Sequence, residues 1–295
     1  MLTSRSEYLD LPGIRLHIRR WGRPDAPTLF LLHGWMDVSA SFQFVVDELK
    51  QDWNIVAPDW RGFGPSQWLK RPYFFAEHLG DLEAIIDRYA PQGQINLVGH
   101  SMGGILACLY AGIRPQRVAK VVTLEGFGIA PNPPEMAPER YEKWLETLKN
   151  PPRMHVHADR DAFARRLLHN DRYLTPERAA FLAKHLGRIG DGENKAGQRR
   201  HGVIWNGDPW HKVPGPYLFR LEESMAVWKK VTCPVLWVAG RDSWIVRDFA
   251  TRPGDWEARQ ACFTDVDEQW IEDTDHMLHH DQPEAVARMI EEFIG

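Results

Sequence analysis

The feature that most constrains this chain is the pentapeptide G-H-S-M-G at residues 99–103. The apolar run Ile95–Val98 before it reads as a buried strand, and Met102–Ile113 after it reads as a helix. Glycines beside a serine let neighbouring backbone approach closely at a sharp strand-to-helix turn. Such a turn lifts the serine hydroxyl to the end of a sheet, where a base and a substrate can both reach it. The pattern predicts Ser101 as a catalytic nucleophile.

Strand-like and helix-like patterns alternate around this pentapeptide. Strands are predicted over Tyr8–Leu11, Ile14–Ile18, Thr28–Leu32, Trp53–Ala57, Val118–Leu124, Pro234–Ala239 and Gln269–Glu272. Helices are predicted over Phe75–Tyr89, Met102–Ile113 and Pro283–Phe293. Strands separated by helices of this length indicate βαβ units, and therefore an α/β fold with a mostly parallel central sheet.

The middle of the chain, residues 129–228, has no strong strand run. Helical patterns occupy Glu139–Leu148, Asp161–His169 and Pro176–Leu186, whereas the polar, glycine-containing stretch Gly187–Gly202 is predicted as an exposed loop. We therefore expect one α/β core built from residues 1–128 and 229–295, with residues 129–228 inserted as a helical cap, or lid.

Three stretches together resemble the α/β-hydrolase superfamily. Besides the pentapeptide, His33-Gly34-Trp35-Met36 resembles the H-G loop of that superfamily, and residues 58–66, P-D-W-R-G-F-G-P-S, resemble its D-x-R-G-x-G-x-S loop. The chain looks most like its serine-nucleophile branch, and within it the serine-hydrolase-like, esterase-like proteins. The resemblance implies an α/β-hydrolase fold and a serine hydrolase that cleaves a carboxylic ester through an acyl-enzyme. It also implies an oxyanion hole formed by the backbone N–H groups of Trp35 and Met102.

The general base is expected to be His276. Relatives order their triad as serine, then aspartate or glutamate, then histidine. The stretch Asp275–Pro283 resembles the histidine-containing signature that follows the last strand in the superfamily, with Asp275 where glycine is common. His279 and His280 are the rival histidines in the same stretch.

Two carboxylates compete for the acid of the triad. Asp242 follows the strand predicted over Pro234–Ala239, and the resemblance favours it as the group that orients the histidine. Glu125 follows the strand Val118–Leu124 and is the alternative acid, because some relatives take their acid from that earlier strand end.

The serine at the turn excludes part of the superfamily's chemistry. Dehalogenases and epoxide hydrolases of this kind use an aspartate there to form an alkyl ester, whereas a serine supports acyl transfer. Three alternatives to ester hydrolysis stay open: carbon–carbon bond hydrolysis or acyl transfer on the same triad, and a non-catalytic relative that uses the pocket for binding.

Composition limits the kinds of partner that the chain is expected to bind. The formal net charge of -4 gives no electrostatic reason to expect a nucleic-acid partner, and no apolar run approaches the roughly 18 residues of a membrane span. Three dispersed cysteines are typical of a reducing compartment, so a cytoplasmic protein is expected. No metal-ligand spacing or phosphate-binding loop is recognised, so neither a metal nor another cofactor is expected. The tryptophans of the insertion favour a small-molecule substrate, a medium-sized apolar or aromatic ester. The oligomeric state is left open.

Overall fold

The computed structural model describes residues 1–295. The strands are β1 Arg5–Leu11, β2 Ile14–Gly22, β3 Thr28–Leu32, β4 Asn54–Pro58, β5 Ile95–His100, β6 Val118–Leu124, β7 Val156–His157, β8 Gly187–Glu193, β9 Arg199–Trp205, β10 Val235–Gly240 and β11 Val266–Ile271. The α-helices are α1 Gln43–Glu48, α2 Phe75–Tyr89, α3 Met102–Ile113, α4 Ala137–Lys149, α5 Arg160–Asn170, α6 Pro176–His185, α7 Leu221–Trp228, α8 Trp244–Ala250, α9 Asp255–Gln260, α10 Leu278–Asp281 and α11 Pro283–Ile294.

Eight strands form one central sheet in the order β1-β2-β4-β3-β5-β6-β10-β11. β1 pairs with β2, and β2 with β4, in antiparallel fashion, and every later pairing is parallel. The inner parallel strands are mostly apolar and buried because helices cover both of their faces, whereas the edge strand β11 carries polar residues. The expected α/β-hydrolase fold, with a mostly parallel sheet flanked by helices, is confirmed.

Two apolar clusters hold the helices against the sheet. On one face, Leu82, Ile85 and Ile86 of α2 share one side of the helix and pack in the same cluster as Leu106 of α3. On the other face, α1 and α11 pack against the strands, with Val286 and Ile290 of α11 fully buried. None of the helices combines the length and the hydrophobicity that a membrane crossing requires.

Residues 129–228, which we call the inserted segment after the prediction above, contain α4 to α7 and also a three-stranded sheet in the order β7-β9-β8. The prediction of an exposed loop over Gly187–Gly202 was wrong, because β8 and β9 form a hairpin there. Glycines in this stretch permit close packing: a Cβ on Gly202 would lie 2.4 Å from the His157 carbonyl oxygen of β7. Helix α7 packs closely against α3 of the core, because a Cβ on Gly112 of α3 would lie 2.2 Å from the carbonyl oxygen of Val227.

Candidate active site

Ser101 occupies the turn between β5 and α3 with φ 51° and ψ −117°, a backbone conformation that costs a non-glycine residue free energy. Gly99 and Gly103 flank this turn, and the surrounding backbone leaves no room for a side chain at either position. A Cβ on Gly99 would lie 2.3 Å from the Gly103 backbone, and one on Gly103 would lie 2.0 Å from the carbonyl oxygen of Leu32. The local sequence therefore fits a strained turn that presents a hydroxyl at the end of the sheet.

The loop after β3 lies directly beside this turn. A Cβ on Gly34 would lie 3.1 Å from the Cβ of Ser101 and 2.9 Å from Nδ1 of His100. Trp35, the next residue, has an exposed side chain, and its N–H makes no hydrogen bond within the protein. Met102 opens α3, where the first N–H groups of a helix have no intrahelical partner. The backbone N–H groups of Trp35 and Met102 are thus both free to donate a hydrogen bond near Ser101.

His276 lies on the loop between β11 and α10, and its position is fixed through its backbone. Its carbonyl oxygen accepts a hydrogen bond from Nε2 of His100 at 2.8 Å, and its N–H donates to Asp275 at 2.7 Å. Nδ1 of its ring lies 3.4 Å from Oε2 of Glu125. Burial lowers the pKa of His276 to about 4, which favours the neutral imidazole that a general base requires.

Glu125 follows β6 immediately and has a left-handed backbone, with φ 57°. Only 1% of the surface of Glu125 is exposed to solvent. Oε1 accepts a hydrogen bond from the N–H of Gly240 at 2.6 Å, and Oε2 accepts one from the hydroxyl of Ser243 at 2.5 Å. Burial is the main cause that raises the pKa of Glu125 to about 8, while these two hydrogen bonds act in the opposite direction.

Asp242, the acid that the sequence favoured, does not contact His276. It follows β10 as expected, but its carboxylate accepts hydrogen bonds from Tyr173 and, at 2.6 Å, from Arg172, both in the inserted segment. Its side chain is 41% exposed, and the hydrogen bond from Tyr173, followed by that from Arg172, lowers its pKa. The side chain faces the insertion, so the carboxylate that the structure brings to His276 is the alternative, Glu125.

The rival histidines, His279 and His280, are buried beside this site, and His279 belongs to a polar cluster that meets the site at His100. Nε2 of His279 lies 3.3 Å from Oδ2 of Asp37, which also accepts the hydroxyl of Ser41 at 2.8 Å. Donor atoms of Asp37, His100 and His279 all lie within 4.8 Å of one another, so this set is the cluster most able to hold a metal. Two Zn–N bonds span at most about 4.2 Å, and the cluster would have to contract in a packed interior to bind an ion.

The contacts that distinguish the two carboxylates could not be predicted from the sequence. Ser243 and Gly240 donate to Glu125, and Arg172 and Tyr173 bind Asp242. The signal available for Ser243 is local: it stands three residues after the end of β10 and opens α8, a position where serine is favoured as an N-cap. Nothing in the spacing links Arg172 to Asp242, which are 70 residues apart.

The comparisons with known proteins agree with this architecture. A sequence model described as the alpha/beta hydrolase fold matches residues 27–283. A serine hydrolase-like protein of Danio rerio is 25% identical over 312 residues, which cover all of this chain and 90% of that protein. A serine hydrolase-like protein of Homo sapiens is 27% identical over 119 residues, which cover 40% of this chain and 58% of that protein.

Among solved structures, a thioesterase domain from the curacin biosynthetic pathway is similar to the whole chain. It superposes with a TM-score of 0.83 at 24% sequence identity, covering 98% of this chain and 99% of that domain. At this identity the likeness concerns the fold.

Proposed function

The chain belongs to the alpha/beta hydrolase family, and from that premise we propose that it is a serine hydrolase that cleaves a carboxylic ester through Ser101, His276 and Glu125. The observation that carries this proposal is the pairing of His276 Nδ1 with the buried Glu125 carboxylate. The hydroxyl on the strained turn that ends the neighbouring strand β5 supplies the third member. The serine hydrolase-like names of the relatives agree with this reading.

The reaction proposed for these groups begins with the proton of Ser101. With Nδ1–H directed at Glu125, Nε2 of His276 carries the lone pair and accepts the serine proton as Oγ attacks the ester carbonyl. The tetrahedral intermediate collapses when the imidazolium returns that proton to the leaving alkoxide, which departs as an alcohol and leaves an acyl-enzyme. Water then repeats the sequence, releasing the carboxylic acid and restoring Ser101.

Glu125 serves in this proposal as the acid in place of Asp242. A carboxylate at Nδ1 holds the tautomer that leaves Nε2 free, and it stabilises the imidazolium that forms during attack. Asp242 cannot take this role while its carboxylate is bound by Arg172 and Tyr173.

Trp35 and Met102 are proposed to supply the oxyanion hole. Both backbone N–H groups lie next to the turn that holds Ser101, one on the adjoining loop and one at the start of α3. Preorganised donors of this kind matter because the loss of one typically costs about 10²- to 10³-fold in rate.

The inserted segment is proposed to act as the cap over this site. Nε1–H of Trp205 in β9 donates to the carbonyl oxygen of Met36 at 2.6 Å, so the insertion contacts the loop that carries Trp35. Arg178 of α6 donates to the carbonyl oxygens of His280 and Asp281, each at 2.9 Å, just beyond His276. Aromatic side chains of the insertion, such as Trp205, favour a medium-sized apolar or aromatic substrate.

The test is hydrolysis of p-nitrophenyl esters of increasing acyl length by the wild type and by Ser101→Ala. We expect turnover by the wild type alone, with both proteins showing the same circular dichroism. A fluorophosphonate probe should add one adduct to the peptide that contains Ser101 and none to the variant. Equal turnover by both proteins would remove Ser101 from the mechanism, and no turnover of any ester by the labelled wild type would contradict the assignment of ester cleavage.

A further inference from the structure

Ser243 links the acid of the proposed triad to helix α8. Its side chain is fully buried, and its Oγ accepts a hydrogen bond from the N–H of Ile245 at 3.1 Å, which caps the helix. The same oxygen donates its proton to Oε2 of Glu125 at 2.5 Å. Because the Ile245 N–H can only donate, it occupies an acceptor position of the hydroxyl and leaves the hydroxyl proton for Glu125.

The hydrogen-bond donors around Glu125 favour the ionised carboxylate, and they act against the burial that raises its pKa. The Gly240 N–H and the Ser243 hydroxyl both donate to it, and a protonated carboxyl group would need an acceptor instead. The Gly240 N–H cannot serve as an acceptor, and Ile245 already occupies one of the two acceptor positions of Ser243 Oγ. Glu125 is buried, so solvent is not positioned to replace a lost donor.

Oε2 of Glu125 is also the oxygen nearest to His276. Ser243 and His276 Nδ1 address this one atom, at 2.5 Å and 3.4 Å, and a carboxylate oxygen has two lone pairs to receive both. The short bond from Ser243 fixes the direction in which Oε2 faces. It thereby fixes where the imidazole N–H must lie.

We propose that Ser243 is a positioning residue that stabilises the carboxylate form of Glu125 and aims that carboxylate at His276. The inference rests on the proposed function, because it assigns Ser243 a role only through the acid of that triad. Ser243 itself touches neither Ser101 nor a reacting atom.

The charged groups that face Glu125 are few. From the loop after β11, His276 approaches Oε2, and the negative charge of Asp275 acts to raise the pKa of Glu125. From the end of β10 and the loop after it, Gly240 and Ser243 offer only uncharged donors, since the Asp242 carboxylate binds Arg172. Removal of the Ser243 hydroxyl therefore leaves Gly240 and His276 as the donors to Glu125, and the pKa of Glu125 should rise.

The experiment compares Ser243→Ala with the wild type over a range of pH. We expect the acid limb of kcat/KM to move to higher pH by about one to two units, the usual worth of one hydrogen bond to a charged group. Activity should recover at high pH, and KM should stay unchanged. Ser243→Thr, which retains the hydroxyl, should restore the wild-type profile.

A matched control separates this effect from the loss of a helix cap. Thr175 caps α6 by accepting from the Arg178 N–H at 3.3 Å, so Thr175→Ala should lower the melting temperature without moving the pH profile. A uniform loss of activity at every pH in Ser243→Ala would reduce Ser243 to a structural residue. If Ser243→Ala does not fold, Ser243→Cys, with its weak S–H donor, should show a smaller shift of the same sign, and an unmoved profile there overturns the proposal.

A second readout does not require turnover. Titration of 13C-labelled glutamate side chains by NMR should show the pKa of Glu125 higher in Ser243→Ala than in the wild type. If the pKa rises while no ester is hydrolysed by either protein, only the proposed function fails. If Glu125→Gln is inactive while Ser243→Ala keeps the wild-type pKa and profile, the role of Ser243 fails alone.

Discussion

The ends of the adjacent strands β6 and β10 carry two carboxylates that differ in almost every physical respect. The strands pair in parallel, so Glu125 and Asp242 emerge at the same edge of the sheet. Glu125 is buried, accepts uncharged donors and faces His276. Asp242 is partly exposed and bound to a guanidinium and a phenol of the inserted segment.

The difference shows that a place after a strand does not define a catalytic acid. Glu125 takes a left-handed backbone directly at the strand end, with its N–H bonded to Val238 of β10, and its side chain enters the interior. Asp242 stands two residues beyond β10, and its N–H donates to the carbonyl oxygen of Thr274. Its carboxylate instead joins the inserted segment to the core. Under the proposed function, the two strand ends therefore divide catalysis and anchoring between them.

The largest expected effect comes from neutralising each carboxylate in turn. Glu125→Gln should lower kcat by about 10³- to 10⁴-fold, because the amide cannot stabilise the imidazolium of His276. Asp242→Asn should change kcat by about fivefold at most, as for other exposed ion pairs. Ester hydrolysis by the two purified variants measures both effects. The reverse order of losses would return the acid role to Asp242.

The sequence predicted the fold because burial imposes periodicity on the chain. β3, β6, α2 and α3 have the predicted bounds, since their apolar residues are set by the sheet and its covering helices. The hairpin β8–β9 escaped prediction because it is small and mostly polar on its outer side. Its glycines serve close packing, whereas glycines in a polar stretch usually indicate a loop.

The proposed site could be predicted only as far as local geometry reaches. The surroundings of Ser101 depend on a strand, two glycines and a helix that are contiguous in the sequence. The choice between Glu125 and Asp242 depends on side-chain direction and on residues of the insertion. Those contacts form only when segments distant in sequence pack together, so periodicity and motif spacing carried no information about them.

The pH dependence of activity sharpens the comparison. Burial raises the pKa of Glu125 to about 8 and lowers that of His276 to about 4, and the proposed mechanism needs an ionised Glu125 and a neutral His276. We therefore expect kcat/KM to fall as the pH drops through about 8, well before His276 alone would be protonated. Asp242→Asn should retain this profile. An acid limb near pH 4 would mean that Glu125 does not control activity.

The raised pKa of Glu125 should make the folded protein less stable as the pH rises, which is the reverse of the usual effect of a carboxylate. Its folded-state pKa of about 8 exceeds the ordinary 4.5, so the folded protein binds this proton more tightly than the unfolded chain. The stability contributed by the protonated form is full below about pH 4.5 and is lost as the pH rises through about 8. Glu125→Gln should therefore gain stability relative to the wild type at pH 9 more than at pH 5, measured by urea unfolding. A constant difference at both pH values would contradict the burial of this charge.

The smallest expected effect is on folding stability and comes from Asp242, whose contribution depends on pH in the opposite direction to that of Glu125. The hydrogen bonds from Tyr173 and Arg172 lower its pKa, so the stability it contributes is present above its unfolded value and is lost as the pH falls through the lower folded value. Asp242→Asn should lower the melting temperature slightly at pH 7, less in high salt because the pair is exposed, and not at all in strong acid.

Asp242→Asn should also speed limited proteolysis within residues 129–228, because the bond that ties this segment to the end of β10 is lost. The matched control is Asp191→Asn, which loses an exposed contact within the segment itself. Proteolysis at the wild-type rate would mean that Trp205 and Arg178 hold the insertion without Asp242, and the anchoring role assigned to the β10 end would then pass to those residues.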